Sequence, residues 1–321
     1  RHPQRLLQAY LPYDLPGACE RFLDRFQPSL GLLMETEIWP NLIAAAKRRH
    51  LPLLLVNARL SARSQRGYRR LRALIEPALS SLIAVAAQSA ADAARLQSLA
   101  AHPVAVVGNL KFDVTPAADK LALGRQWRQA IGKRPVLLAA STRDGEEALL
   151  LTALASLRID DLLLLLVPRH PQRFDEVAQL LSSRRLHYCR RSAQTLPDEH
   201  TQVWLGDSMG EMAAYYSLAD LALIGGSWLP FGGQNLIEAA ACACPVLIGP
   251  HMFNFAQASA DALAAGAACR VADVNNAARL AGELLNDEGR LSAMRQAAQE
   301  FSRTHQGATA RTLALIDEMT S

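Results

Sequence analysis

The sequence predicts an α/β fold built on two doubly wound parallel sheets. Three observations predict it: short apolar runs without polar alternation, helical stretches between them, and a lapse of the apolar pattern at 111–124 that separates two such series. A strand covered on both faces has no water-facing side, so its residues do not alternate; that is the mark of a parallel sheet with helices on each face. In the first series "LGLLME" (30–35), "LPLLLVNA" (51–58), "LIAVAAQ" (82–88) and "PVAVVGNL" (103–110) read as strands, with helices in "NLIAAAKRRH" and "SAADAARLQSLA" between them. The second series is "PVLLAAS" (135–141), "LLLLLVPRH" (162–170), "LHYCRR" (186–191), "VWLGD" (203–207), "LALIGGS" (221–227) and "PVLIGP" (245–250). At 321 residues, 50% of them hydrophobic and 20% charged, the chain is long enough for two packed cores. The expected division is 1–115, 116–303 and a C-terminal helix at 304–321 that packs back on the first domain.

Composition excludes several classes. No run approaches the roughly 18 consecutive apolar residues of a membrane span, and "LLLLLV" (162–167) fits a buried strand. The first residues carry no apolar signal core with a small-residue cleavage site, so no secretory leader is expected. Cys19, Cys189, Cys242, Cys244 and Cys269 are an odd, scattered set without a C-x-x-C pair, which points to reduced core thiols rather than a disulfide framework or a zinc site. The net charge of +4 hides an asymmetry: residues 1–111 hold 15 Lys/Arg against 7 Asp/Glu, whereas 112–321 hold 19 against 23. The first half is suited to an anionic partner. The pentapeptide "RHPQR" occurs at 1–5 and at 169–173 in different surroundings and reads as coincidence; there is no solenoid period.

Open α/β sheets bind ligands beyond the carboxyl ends of their strands, so the residues just after each apolar run carry the chemistry. Four such ends in the second series are loaded: "ASTRDGEE", "VPRHPQRF", "GDSMGEM" and "GGSWLPFGGQNLIE". Ser141 and Thr142 offer hydroxyls and Arg143 a charge, as a phosphate requires, although an N-cap followed by the dipole-matched acids Glu146 and Glu147 accounts for the same stretch. Pro168 and Pro171 stiffen a turn presenting Arg169 and His170. Met209, Gly210 and Glu211 open a helix whose amides could pair with a base edge, or simply start the helix. At the fourth end Asn235 can cap a helix and Glu238, three residues on, can return a bond, as in a capping box. That leaves Gly232 and Gly233, which would let a ligand approach the backbone, while Gln234 lies between them and the cap. Four loaded ends on one sheet edge favour a nucleotide site, with Glu238 accepting bonds from two ribose hydroxyls.

In the first series "METEIWPN" puts Glu35 and Glu37 at a strand end, as a base, as a support for an acceptor hydroxyl, or as helix-entry acids. "NARLSARSQRGYRRLR" (57–72) holds Arg59, Arg63, Arg66, Arg69, Arg70 and Arg72, suited to a phosphate-rich ligand or to a solvated helix face; sparse aromatics argue against nucleic acid.

"YLPYDLP", "METEIWPN", "NARLSARS", "GNLKFD", "ASTRDGEE", "PRHPQRF" and "GGSWLPFGGQNLIEAAACACPVLIGPHMFNF", in this order, resemble the 3-deoxy-D-manno-octulosonic acid (Kdo) transferases of Gram-negative bacteria over nearly the whole chain. The resemblance implies a GT-B glycosyltransferase of two facing Rossmann-like domains, the first for the acceptor and the second for the activated sugar. It implies CMP-Kdo as donor, a lipid A precursor as acceptor in lipopolysaccharide biosynthesis, inversion at the anomeric carbon, and neither metal nor cofactor. By motif, Arg169, His170, Met209, Gly210, Glu211, Gly232, Gly233, Gln234, Asn235 and Glu238 would hold CMP, and Ser141, Thr142 and Arg143 would lie by its phosphate. Arg59, Arg63 and Arg66 would face a phosphorylated glycolipid at a membrane surface, on the cytoplasmic face of the bacterial inner membrane. Members of the family begin with a membrane-anchoring segment and a strand whose loop bears the Glu of a "GE" pair, taken as the base. This chain resembles them only from "YLPYDLP" onward, so the expectation is a truncated member with its main base outside the chain and Glu35 and Glu37 in supporting roles. Two other readings share the plan: a UDP-sugar 2-epimerase-like isomerase, with its own ribose-binding Glu, and a non-catalytic nucleotide-sugar binder.

Overall fold

The computed structural model describes residues 6–100, 103–155, 159 and 161–320. Arg1–Asp113 with His305–Ser321 form one compact unit and Val114–Thr304 a second. The first copy of "RHPQR" lies outside the described residues.

The first unit runs α1 (Pro16–Phe26), β1 (Gly31–Met34), α2 (Pro40–Arg48), β2 (Leu53–Ala58), α3 (Ala62–Arg70), α4 (Arg72–Leu79), β3 (Ala84–Ala87), α5 (Ala90–Gln97) and β4 (Val104–Val106). Its described strands pair in parallel in the order β1-β2-β3-β4. Consecutive parallel neighbours joined by crossovers of one hand leave their helices on one face. Accordingly Leu33, Leu55, Val85 and Ala87 pack under Leu42, Ile43, Ile75, Leu79 and Leu96. The other face, with Leu54, Val56, Ala84 and Ala86, is covered by Leu315, Ile316 and Met319 of the last helix. β2 is buried at all six positions, which is why its sequence shows no alternation.

The second unit runs α6 (Ala118–Ile131), β5 (Val136–Thr142), α7 (Glu146–Leu154), β6 (Leu163–Pro168), α8 (Phe174–Ser183), β7 (Tyr188–Arg190), β8 (Val203–Leu205), α9 (Met212–Leu218), β9 (Leu221–Ile224), α10 (Ile237–Ala241), β10 (Val246–Ile248), α11 (Ala256–Ala264), β11 (Ala268–Arg270), α12 (Val274–Leu285) and α13 (Glu288–His305). The described strands are all parallel, in the order β11-β10-β9-β5-β6-β8-β7. β11 is an edge strand of three residues with one fully buried side chain, too short and too polar to have been read from the sequence. The lapse at 111–124 is shorter than expected: a 3-10 turn covers Leu110–Asp113, residues 114–117 connect, and α6 is already helical from Ala118. The last helix, α14 (Ala308–Thr320), is tied to the first unit at its start, where Asp113 accepts the amides of Gly307 at 2.6 Å and of Thr309.

α6 and α9 approach closely across the rings of Trp127, Trp204 and Tyr215, whose centroids lie 5.0 to 6.2 Å apart. Gly124 permits this: a Cβ there would meet the carbonyl oxygen of Ala214 at 2.5 Å and overlap the Ser217 hydroxyl. Helix propensity favours Ala over Gly by up to about 1 kcal/mol, whereas overpacking against a backbone atom costs about 1–3 kcal/mol. Gly124→Ala is therefore expected to lower stability, seen as a reduced denaturation midpoint; an unchanged or raised midpoint would show that the two helices are free to separate.

Candidate functional site

The carboxyl edge of the larger sheet is where the loaded strand ends meet. β5 is the first strand of its unit and lies between β6 and β9; the connections that follow β5 and β9 run to opposite sides and open a crevice at the carboxyl ends of the two strands. A cleft of about 410 Å³ at this edge is lined by Ser141, Val167, Pro168, Arg169, Ser208, Met209, Gly210, Met212, Ala213 and Glu238, together with residues 114–117 and Lys120. Five of the sequence-predicted residues thus come together: Ser141, Arg169, Met209, Gly210 and Glu238.

Their chemistry differs. Glu238 is half-buried and accepts no hydrogen bond from any described residue; burial pushes its carboxyl above the ordinary range, and the charge of Arg169 pulls the other way. Neither Arg169 nor Arg143 has a carboxylate within 4 Å among the described residues, and the Arg143 guanidinium rests 4.8 Å from the centre of the Phe231 ring. Burial, and then the charges of Arg143, Arg169 and Arg173, hold the His170 imidazole below its usual value, so at neutral pH it offers a neutral donor and acceptor. Gly210 takes φ +76° with open space where a side chain would stand, so its backbone is approachable. Ser141 sits at φ +57° and makes only a long contact, 3.9 Å, to the Met212 sulfur.

Other predicted residues are spent on the fold. Thr142 is 1% exposed and donates its hydroxyl to Glu147 at 2.7 Å, so it has none to offer a phosphate. Glu147 also accepts from Arg173 at 2.7 Å, and Arg173 reaches Glu176 at 3.0 Å; this network fixes the 169–173 turn. The side chain of Glu211 is held by two guanidinium nitrogens of Arg191, at 3.0 and 3.1 Å, and by Ser208 and Tyr215. Gly232 and Gly233 are buried at φ +93° and +79°, and side chains there would meet Phe253 at 2.6 Å and the Met252 methyl at 2.8 Å. They are glycine so that the 251–254 loop of the same chain can close over them, and they hold no open space for a ligand. Gln234 lies beside Gly226. The capping box does not form either: Asn235 accepts the amide of Ile237 at 3.0 Å, two residues on, while Glu238 returns nothing. α10 has only five residues, too few for its dipole to contribute much.

In the first unit Glu35 takes φ +56° at the end of β1 and is clamped by Lys111 at 2.9 Å and Arg59 at 3.0 Å. Burial opposes its ionisation, but the hydrogen bond and charge of Lys111 and the charge of Arg59 outweigh it and hold the carboxyl below its ordinary value. A carboxylate so held is a poor base and a good anchor. Glu37 accepts the indole N–H of Trp39 at 2.8 Å. Arg59 is thereby partly withdrawn from any acceptor, while Arg63 and Arg66, exposed on helix α3, have no ion-pair partner among the described residues. Lys111 escaped sequence reasoning because nothing local marks a cation 76 positions from its carboxylate. Asp14 of "YLPYDLP" caps α2 from 27 and 28 positions away, taking the amides of Asn41 at 3.1 Å and Leu42 at 2.9 Å.

Comparison with known proteins assigns the chain. The 3-deoxy-D-manno-octulosonic-acid transferase family model matches residues 1–114 and the group 1 glycosyl transferase model residues 147–301. The 3-deoxy-D-manno-octulosonic acid transferase of Bordetella pertussis is 48% identical over 320 residues, covering 98% of this chain and 74% of that protein. The chain belongs to the 3-deoxy-D-manno-octulosonic acid transferase family. The Haemophilus influenzae member is 38% identical over 316 residues, covering 96% of this chain and 73% of its own length. Among solved structures, the C-terminal CMP-Kdo binding domain of WaaA from Acinetobacter baumannii is 31% identical, with a TM-score of 0.55, covering 58% of this chain and 98% of that one. HepE from Anabaena, in complex with UDP, is 14% identical with a TM-score of 0.57 over 95% of this chain and 81% of its own, and shares the GT-B fold class.

The five cysteines of this chain are free thiols, and burial raises each of them, Cys189 to about 11 and Cys242 to about 12, which disfavours the nucleophilic thiolate. No helix among the described residues is long and apolar enough to cross a membrane.

The clamp on Glu35 has a pH signature. Its lowered carboxyl contributes stability above the unfolded value near 4.5 and loses it as pH falls through the lower folded value. Lys111→Met is expected to cost about 0.5–1 kcal/mol at neutral pH, because the pair is partly exposed. The difference in melting temperature from the parent should shrink towards zero as the pH is taken below that folded value; a difference that stays constant would show that Lys111 acts through packing alone.

Proposed function

We propose that residues 114–304 hold CMP-Kdo and that the protein transfers Kdo to a lipid A precursor with inversion at the anomeric carbon. The observation that carries this reading is the cleft itself: a half-buried carboxylate, Glu238, and a cation, Arg169, neither with a hydrogen-bonded or ion-paired partner among the described residues, at a switch point of a parallel sheet. An unpartnered carboxylate at that depth is costly unless a ligand supplies donors, and two vicinal ribose hydroxyls supply them. The kinship with a domain described as CMP-Kdo binding supports cytidine as the nucleoside.

In this reading the ribose of CMP lies on Glu238, the cytosine edge on the open backbone at Met209 and Gly210, and the phosphate by Arg169, Arg143 and the Ser141 hydroxyl. As the acceptor hydroxyl displaces CMP, negative charge grows on the departing phosphate. Preorganised guanidinium donors stabilise that charge more than they stabilise the bound donor, and this lowers the barrier. A single displacement inverts the anomeric carbon. The two arginines stand where a divalent cation would otherwise neutralise the phosphate, so transfer is expected to resist chelators. Arg63 and Arg66, unpaired on α3, suit the phosphates of a lipid A precursor and the anionic membrane surface that carries it.

Calorimetry tests the donor. CMP should bind more tightly than UMP or UDP, and Glu238→Gln should weaken CMP by about 10- to 100-fold, the loss of charge-assisted hydrogen bonds worth about 1.5–3 kcal/mol. Unchanged CMP affinity in a folded Glu238→Gln protein would remove the ribose from this site, and preference for UDP would favour an epimerase-like isomerase.

A further inference from the structure

Glu146 is 0% exposed and has no ion-pair partner among the described residues, yet both its oxygens are fully engaged. One accepts the amides of Arg143 at 2.9 Å and Gly226 at 2.7 Å; the other accepts those of Trp228 at 3.0 Å and Leu229 at 3.4 Å. The donors come from the two loops that diverge at the switch point, the end of β5 and the end of β9. Sequence alone suggested a dipole-matched acid in the first turn of α7, a role that needs neither burial nor four amides.

The consequence reaches the donor site through Arg143. Glu146 fixes the Arg143 amide, and through Trp228 and Leu229 it also fixes the loop carrying Phe231, whose amide bonds to the Leu229 carbonyl at 2.7 Å. The Phe231 ring is the surface on which the Arg143 guanidinium rests, 4.8 Å from its centre. One buried carboxylate thus sets both the backbone of the cation and the ring that holds its head, while leaving the guanidinium without a competing carboxylate. We infer that Glu146 is the positioning residue for Arg143: by gathering the amides of Arg143, Gly226, Trp228 and Leu229 it presents an uncommitted guanidinium to the phosphate of the donor nucleotide. The inference rests on the donor reading above and adds a residue to it.

Only a carboxylate can serve. An ionised carboxylate accepts at both oxygens with no hydrogen of its own, whereas a glutamine places an NH₂ group against two of the four amide donors. Glu146→Gln should therefore release one pair of amides, either those of Arg143 and Gly226 or those of Trp228 and Leu229, and keep the other pair held.

The test uses the whole chain and two ligands, CMP and cytidine, which differ by the phosphate. The parent should bind CMP more tightly than cytidine. Glu146→Gln should weaken CMP about tenfold, leave cytidine unchanged and keep the binding stoichiometry; Arg143→Ala should do the same, and the double variant should be no worse than Arg143→Ala alone. A merely structural role would instead reduce the competent fraction, or weaken both ligands equally, and either result overturns the inference, as does additivity of the two changes. Should Glu146→Gln not fold, Phe231→Leu removes the ring from a half-buried loop position: loss confined to CMP supports the inference, and an unchanged CMP-to-cytidine ratio overturns it. A parent that binds neither ligand would sink the donor reading itself, whereas a parent that binds CMP while Glu146→Gln weakens both ligands alike sinks only the role of Glu146.

Discussion

The second unit depends on how two diverging loops are closed by one buried charge. β5 lies inside its sheet with β6 on one side and β9 on the other, so the chain segments that follow β5 and β9 part at the carboxyl edge. Backbone amides exposed by such a parting must find acceptors, since each buried one left unpaired costs about 1–3 kcal/mol. Water could satisfy them, but it would leave the loops mobile. Glu146 satisfies four of them from within the protein; burial of its charge pushes its carboxyl above the ordinary range, and the amide bonds it accepts oppose that cost. The edge is therefore shaped before any ligand arrives, and the ordering cost that binding would otherwise carry has been met in folding.

This explains which parts of the site could be read from the sequence. The strands were legible because a doubly covered sheet suppresses alternation, and β2, β5 and β6 are indeed buried along nearly their whole length. The location of the cleft was legible too, because ligands sit beyond the strand ends and Ser141, Arg169, Met209, Gly210 and Glu238 all lie there. What the sequence could not disclose was allegiance. Thr142 and Ser141 are adjacent hydroxyls with the same chemistry, but one points inward to Glu147 and the other lines the cleft. Gly232 and Gly233 look like a ligand-approach pair, and their neighbours prove to be Met252 and Phe253 of the same chain. In both cases local pattern names a residue's capacity, and packing from 5 to 21 positions away decides its use.

The first unit repeats the theme with long-range charge. Glu35, Arg59 and Lys111 are dispersed over three motifs of the sequence, each suggesting its own purpose, and they converge into one ion-paired group at the end of β1. Asn57, at φ +51° in β2, bonds through its side chain to the amide of Leu110, so the turn that supplies Lys111 is held by the strand that leads to Arg59. Two left-handed residues at neighbouring strand ends, each costing about 1 kcal/mol or more, persist only because this network fixes them. The arginine-rich stretch thereby divides: Arg59 and Arg72 are committed to Glu35 and Glu76, whereas Arg63 and Arg66 are left to solvent.

That division is the most informative electrostatic feature of the protein. Most of its buried acid oxygens are satisfied internally: Glu146 by amides, one oxygen of Glu147 by Thr142 and Arg173, Asp207 by Ser192 and Arg190, Asp92 by the amide of Leu60, Ser89 and Arg95, while the second Glu147 oxygen is buried without a partner among the described residues. A fold that provides partners so consistently makes the unprovided groups conspicuous. Glu238 lines the cleft, half-buried, without a hydrogen-bond donor among the described residues, and Arg169 and Arg143 stand at strand ends with no carboxylate of those residues within 4 Å. Desolvating an acid and leaving it unpaired gains the folded state nothing by itself, so the gain must come from something that binds. At the strand ends, the groups left open among the described residues include one acceptor and two cations, complementary to a molecule with hydroxyl donors at one end and an anion at the other. A nucleoside monophosphate has that polarity, and the paired charges around the cleft keep these three groups free to meet it.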